Sequence, residues 1–376
     1  MKTKKHCVFI KTDLRYDGRV CAIIKTLALA FPADTVYVYA LTNENINISF
    51  PANVQYNRYR SLFAQLSKKH IFQIFKTMEF ALFSFFKLLW LNPKTVQVHH
   101  EPVILGPLLY KLLKKNCFFL YDDKELYVPK NKNIPPSLFF IEKIMIRRAN
   151  IVVYTNEYRR KAIYYIFKPK NKHIIIENFA FEPQYNTLDK STISLLDTVK
   201  GKKILLHQGV LSKNRGLEKI LNILDYLPHE WIMAFIGVSA EEFRDFVEKI
   251  PEKHECAVKY FGFIPYPQLN TFWKKVDAGT IFYDDSTFNN KYAAPNRLYS
   301  AANNGVPIIV NTENVTLSSF IERYVSGICF PPKENISVFF QNFDFYNDCA
   351  KRHIGTFEYS EGYIPQLLHV YKNLES

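Results

Sequence analysis

Short apolar runs alternate with stretches of helical periodicity along most of the chain. The first run, Cys7–Ile10, is followed by a polar loop from Lys11 to Arg19 and a helical stretch from Val20 to Phe31. Thr35–Leu41 then returns to β-branched and aromatic residues. Strand, loop, helix, strand predicts a βαβ unit, because neighbouring parallel strands need a long crossover that usually holds a helix. The rhythm continues with strands over Val96–His99, Cys117–Tyr121, Ile151–Tyr154 and Ile174–Glu177, and with helices near Leu105–Leu113 and Phe139–Arg148. Residues 182–200 are polar and irregular, and the pattern predicts a linker there.

The second half repeats the alternation. Strands are predicted over Lys203–His207, Trp231–Ile236, Val258–Phe261, Ala278–Phe282 and Pro307–Val310. Between them helices are predicted over Leu217–Leu227, Glu241–Lys249, Gln268–Lys275 and Asn296–Asn303. Two such halves specify an α/β protein with two Rossmann-like, doubly wound domains, 1–182 and 200–355. A last segment, 356–376, is expected as a helix packing back on the N-terminal domain. Ligands of open parallel sheets sit at the C-terminal ends of the strands, so the loops after the strands carry the search for chemistry.

Composition narrows the class. The 376 residues suit two ordinary domains, and 48% hydrophobic with 16% aromatic residues can fill two cores. The six cysteines are scattered, with no CxxC pair and no Cys/His cluster, which argues against a disulfide framework and against structural zinc. The N-terminus has a basic start but only a short apolar run, unlike a signal peptide, so a cytoplasmic protein is expected. The net charge of +14 is uneven: residues 1–180 hold 29 Lys+Arg against 12 Asp+Glu (+17), and residues 181–376 hold 20 against 23 (−3). The basic half suits a phosphorylated ligand or an anionic membrane surface, and no nucleic-acid module is visible.

Several motifs in order resemble family 4 glycosyltransferases, enzymes of the two-domain GT-B architecture. Tyr292-Ala293-Ala294-Pro295-Asn296-Arg297-Leu298-Tyr299-Ser300 and the run on to Ile309 resemble that family's PNKLFEYMAAGKPVI. Leu206–Glu218 resembles YQGGLSKGRGLE, and Val258–Pro265 resembles its strand and turn before the base. In the first half, Asp17-Gly18-Arg19-Val20 resembles DPRV, His100-Glu101 resembles the HD after the fourth strand, and Tyr121–Leu126 resembles YDSHEL. The matches span about residues 17 to 310. The resemblance implies the GT-B fold, with two domains facing a central cleft. It also implies transfer of a sugar from a nucleotide-sugar co-substrate, UDP- or GDP-linked by preference, to a glycan or lipid-linked acceptor. No cofactor and no metal are implied, and retention of configuration is favoured over inversion. The basic first half, together with the apolar segment His70–Trp90 described below, suggests an acceptor held at a membrane face and a role in bacterial-type surface polysaccharide synthesis.

The matched residues suit that chemistry on their own. A sugar nucleotide carries a diphosphate, and the helix opening at Pro295-Asn296 offers unsatisfied N–H groups and a positive dipole end. Lys213, Arg215 and Arg297 supply cations, and Gly209 permits close backbone approach after a strand. Phe263 follows a strand end where the family holds the base, and Leu298 and Ser300 complete the donor set. Asp17, Gly18 and Arg19 form a candidate acceptor or phosphate loop. Candidate acids and bases at strand ends of the first half are His100, Glu101, Asp13 and Asp122, with His100 titrating nearest neutrality. Paired acids Asp122-Asp123 and Asp284-Asp285 read as loop or capping acids rather than metal ligands, Asp122 being kept as a site candidate.

The sequence also departs from the family. Tyr292 and Ser300 stand where the family often has two glutamates, Val210 where it has an arginine, and Lys124 where it has a histidine. Ser300 can hydrogen-bond a ribose hydroxyl without the strength of a carboxylate. These replacements keep alive a second reading, a catalytically silent GT-B-fold partner of a glycan synthase complex. A sugar-nucleotide epimerase is a further GT-B alternative, but no carboxylate-rich site of that kind is visible.

Residues His70–Trp90 are unusually apolar. Gln73, Lys76, Thr77, Ser84 and Lys87 fall on one narrow stripe of a helical wheel, and the charges make a spanning helix improbable. Two readings stand: a core helix against the first sheet, or an interfacial helix with Lys68, Lys69, Lys76 and Lys87 on anionic headgroups and the protein peripheral on the inner membrane face.

Overall fold

A computed structural model describes residues 3–11, 14, 17–42, 50–63, 70–99, 103–125, 136–179, 187–359 and 363–374. The chain divides into two compact units, residues 1–177 with 359–376, and residues 178–358.

The first unit is built on a seven-stranded parallel sheet. Its strands are β1 (Lys5–Ile10), β2 (Thr35–Leu41), β3 (Val54–Tyr59), β4 (Thr95–His99), β5 (Phe118–Asp123), β6 (Ile151–Tyr154) and β7 (Lys172–Ile175). Their order is β3-β2-β1-β4-β5-β6-β7. The direction of winding reverses between β1 and β4, which opens a crevice at the C-terminal ends of those two strands. The central strands read as continuous apolar runs because helices cover both faces. Three helices matter below: α1 (Gly18–Ala30), α2 (His70–Leu91) and α3 (Leu105–Leu113). The C-terminal helix Pro365–Lys372 packs on α1, where the Thr26 hydroxyl oxygen accepts the Ile364 N–H at 2.9 Å.

The second unit carries a six-stranded parallel sheet. Its strands are β8 (Lys203–Gln208), β9 (Trp231–Ile236), β10 (Val258–Gly262), β11 (Ala278–Ile281), β12 (Ile308–Asn311) and β13 (Gly327–Phe330), in the order β10-β9-β8-β11-β12-β13. Here the switch point lies between β8 and β11. One core cluster is packed around Leu206, Phe272, Trp273, Leu298 and Tyr299, and another around Phe235, Phe246, Phe282 and Phe339.

Two sequence expectations change, and one strand was not foreseen. The stretch expected as a linker holds a helix, Lys190–Asp197, whose first turn is capped by Asp189 accepting from Thr192 N at 2.7 Å. Its Leu195 and Leu196 pack on the second core, so residues 187–200 belong to that unit. The edge strand β3 was not legible: VQYNRY alternates weakly and is half-exposed. The polar stripe on α2 is not one surface, because Ser84 is fully buried with Phe80 and Leu88. Ser84 sits there because α3 crosses closely. A Cβ on Gly106 would lie 2.0 Å from Ser84 Oγ and 2.2 Å from the Ala81 carbonyl oxygen.

Candidate functional site

In the second unit the loops after β8 and β11 meet at the switch point. The loop from Gln208 to Gly216 bends on two glycines in the left-handed region, Gly209 (φ 105°) and Gly216 (φ 82°). A Cβ on Gly216 would stand 2.4 Å from Phe282 Cβ, so the loop closes against β11's end only with glycine there. A Cβ on Gly209 would come 3.0 Å from Arg297 Nη1. Across the two loops the Asp284 N–H donates to the Asn214 carbonyl at 3.2 Å.

Arg297 is the centre of this arrangement. It is the second residue of the helix Asn296–Asn303 and is 9% exposed. Its Nη1 donates to the Gln208 carbonyl oxygen. Its Nε and Nη2 are buried with no hydrogen-bond partner, and no carboxylate among the described residues pairs with it. Arg215 Nη1 is likewise buried and unpartnered. The two guanidinium carbons lie 3.9 Å (Arg215) and 5.2 Å (Arg297) from the Tyr283 ring centroid. Tyr283 is itself held at both backbone groups: its N–H donates to Asn311 Oδ1 at 2.8 Å, and its carbonyl accepts from Asn311 Nδ2 at 2.5 Å. Burial, and the neighbouring charge of Arg215, work against the charged form of Arg297.

His207 lies under the same loop, fully buried at the end of β8. The Thr280 hydroxyl donates to the Leu206 carbonyl at 3.3 Å, so it accepts from His207 Nδ1 at 3.2 Å, which assigns the proton to Nδ1. Nε2 is buried without a partner. Burial, aided by the charge of Arg297, pushes the imidazole down to about 3, so it is neutral at pH 7.

The other donor candidates take different places. Lys213 is exposed on the turn Lys213–Arg215. Phe263 is 67% exposed after the positive-φ Gly262. Pro295 is the residue before the helix rather than its first turn, with φ −71° and ψ 153°, and it provides no capping side chain. The first-turn N–H groups of Asn296 and Arg297 therefore have no side-chain cap. Asn296 is exposed, and Ser300 is 9% exposed one turn further along. Leu298 packs in the core, and its N–H donates to the Pro295 carbonyl, which leaves it supporting the helix rather than facing a ligand. Asp284 is committed to its own turn, accepting from Ser286 Oγ at 2.6 Å and Asn290 Nδ2 at 2.7 Å.

The first unit treats its charges differently. Asp122, at the end of β5, is fully buried. Its carboxylate accepts from Arg19 Nη2 at 2.7 and 2.9 Å and from His99 Nδ1 at 2.7 Å. Burial alone would raise its pKa, but Arg19 and His99 hold it well below the usual carboxylate range. Arg19 also donates to the Ile176 carbonyl at 3.3 Å. Asp17 caps α1 by accepting from Val20 N at 3.2 Å, and it pairs with Lys124. His99 continues to Gln97 at 3.4 Å, and Gln97 donates to Tyr371 of the C-terminal helix. Thus Arg19 and Asp17 of the candidate acceptor or phosphate loop are each held in an ion pair, with Asp122 and Lys124, Gly18 is the buried start of α1, and the Asp122 carboxylate is already engaged. Asp13, His100 and Glu101 lie outside the described residues. The sequence reading missed His99, Tyr283 and His207, whose neighbours come from distant strands.

No protein-family model matches the sequence, and no curated sequence matches it. Solved structures do resemble it. A sucrose-phosphate synthase from Thermosynechococcus elongatus superposes with a TM-score of 0.74 at 13% identity, covering 99% of both chains. HepE from Anabaena in complex with UDP and glucose gives 0.65 at 13%, covering 99% of this chain and 100% of that one. The lipopolysaccharide outer core galactosyltransferase WaaB gives 0.62 at 10%, covering 99% of both. At such identities the likeness is one of fold. The chain has the GT-B fold, two parallel α/β sheets of seven and six strands.

Proposed function

We propose that this protein transfers a sugar from a nucleotide-sugar donor to a glycan or lipid-linked acceptor in the building of a bacterial-type surface polysaccharide. The observation that carries the reading is Arg297, a buried guanidinium with two nitrogens unpartnered and no carboxylate beside it among the described residues. A buried cation left without a counter-charge is costly to a fold. A diphosphate seated against Arg297, Arg215 and the open first turn of the Asn296–Asn303 helix offsets that cost. Lys213 reaches the same anion from the exposed turn, Phe263 supports the base, and Ser300 supports the ribose. UDP and GDP are the favoured nucleotides, as the resemblance implied, and HepE was solved with UDP.

In the reaction the bond between the sugar's anomeric carbon and the β-phosphate oxygen breaks, and a bond from that carbon to the acceptor oxygen forms. The acceptor hydroxyl gives up its proton to the departing β-phosphate oxygen, and the nucleoside diphosphate leaves. Arg297 and Arg215 stabilise the charge that grows on the leaving diphosphate, the role that preorganised cations serve without a metal. We favour retention of configuration, as the family resemblance implies, a route that needs no strong base. The acceptor is assigned to the first unit.

Thermal-shift screening against nucleoside mono- and diphosphates and their sugar conjugates tests this. A rise in melting temperature with one nucleoside diphosphate, reduced in Arg215→Ala, is expected. Silence across the panel favours the silent partner, and unchanged affinity in Arg215→Ala sinks the phosphate assignment.

A further inference from the structure

Helix α2 is buried on one side only. Phe80, Ser84, Leu88 and Leu91 are buried, while Ile74, Met78, Leu82, Phe86, Leu89 and Trp90 are 39–72% exposed. The close crossing at Gly106 brings α3 alongside, and α3 exposes Leu109, Leu112 and Leu113 at 42–64%. Nine large apolar side chains on two touching helices form a patch well beyond the scattered apolar residues of an ordinary soluble surface. Among the described residues, no helix is long and apolar enough to cross a membrane.

The patch has a basic border. Lys87 and Lys5 lie 4.6 and 5.6 Å from the Trp90 ring centroid. Beyond Trp90 is a groove of about 790 Å³ at the N-terminal ends of β1, β4 and β5, lined by Lys4, Lys5, Lys94, Lys114 and Lys115. The groove is continuous with the patch, because Lys5 and Leu113 belong to both. Among the described residues, Lys5, Lys87, Lys114 and Lys115 are paired with no carboxylate. The groove lies at the opposite end of the strands from Asp122 and His99, so it is separate from the network described above.

We propose that the α2–α3 face and this lysine groove together dock the protein on a leaflet of anionic phospholipid. The apolar side chains enter the acyl boundary, Trp90 sits at headgroup depth, and the lysines take lipid phosphates. Charge selects this occupant over a second copy of the chain. A two-fold dimer through this face would gather two sets of unpaired lysines at one interface, with no carboxylate of the patch among the described residues to offset their repulsion. The inference deepens the acceptor half of the proposed function by giving the enzyme a lipid-borne acceptor within reach, yet it stands on residues of the first unit alone.

The test is sedimentation of the full chain with vesicles of phosphatidylcholine alone and of phosphatidylcholine mixed with phosphatidylglycerol. Binding to the mixed vesicles only is expected. Phe86→Glu/Trp90→Glu and Lys114→Glu/Lys115→Glu should each lower that partition by roughly tenfold or more, given the contribution of each lysine and each apolar side chain near a charged surface. Equal melting temperatures and an unchanged nucleotide shift show that the variants fold. Wild-type protein that stays in the supernatant overturns the inference, as do variants that bind like wild type. Sedimentation velocity showing a dimer that Phe86→Glu/Trp90→Glu dissociates assigns the face to self-association instead. Inorganic phosphate binding that Lys114→Glu/Lys115→Glu abolishes, with no vesicle binding, assigns the groove to a free anion. Vesicle binding without a nucleotide shift sinks the donor reading and leaves this one intact.

Discussion

The two units use the same sheet architecture and the same kinds of residue at the strand ends, but the cluster around Asp122 and the cluster around Arg297 settle their charges in opposite ways. In the first unit Arg19, Asp122 and His99 close on one another, and Lys124 closes on Asp17. In the second, Arg297 and Arg215 keep buried guanidinium nitrogens unpartnered. A closed network holds a fold together and has little left for a ligand. An open cationic one costs the fold and is explained by an anion that comes and goes. The contrast separates structural from binding residues more sharply than any motif, since Asp17-Gly18-Arg19 and Leu206–Glu218 looked equally like binding loops in the sequence.

The largest effect should come from breaking the closed network. Asp122→Ala leaves Arg19 buried without its carboxylate and His99 without its acceptor. Removing one member of a buried pair typically costs about 3–5 kcal/mol, and urea unfolding should show a loss of that size. A loss below about 1 kcal/mol would mean that water screens the pair and that the network is not closed.

A smaller effect separates the units by pH. His207 is held neutral, with its pKa down at about 3 against 6.5 in the unfolded chain. Its contribution to stability is therefore fully present above pH 6.5 and is lost progressively as pH falls toward 3, because the unfolded state takes up the proton first. By pH 5 the loss is about 2 kcal/mol, 1.5 units at 1.36 kcal/mol each. Asp122 is depressed too, so its contribution is lost only at lower pH, through and below the ordinary carboxylate range. Subtracting the pH profile of His207→Gln from that of the wild type isolates the histidine. A difference that does not change between pH 7 and pH 5 would show that His207 is not kept neutral.

Much of this fold could be read from the chain, because parallel strands covered on both faces are continuous apolar runs. The helix Asn296–Asn303 was placed to the residue, and β8 to within one. The failures share a cause. Strand β3 is an exposed edge, and the helix Lys190–Asp197 turns only a few apolar residues inward, so neither has a strong period. At the site, the sequence supplied the cations but not their state. His99 and not His100 is the partner of Asp122 because β4 and β5 pair His99 directly with Asp122, a register set across strands. That Asn311 pins Tyr283 beneath two guanidinium groups depends on residues 28 apart and could not be seen from spacing. Arg297 was chosen for its place in a motif, and only its burial gives the physical reason for a bound anion.

That reason can be measured on one substitution. Methionine matches the arginine stem as far as Nε and carries no charge, so Arg297→Met keeps the stem's buried packing while removing the cation. Calorimetric titration with UDP and GDP, paired with thermal melts of the unliganded protein, reads both consequences. Nucleoside diphosphate affinity should fall about tenfold or more, equivalent to about 1.4 kcal/mol, while the variant melts at or above the wild-type temperature. Undiminished affinity, or a variant that melts several degrees lower, would make Arg297 a structural residue and contradict the account.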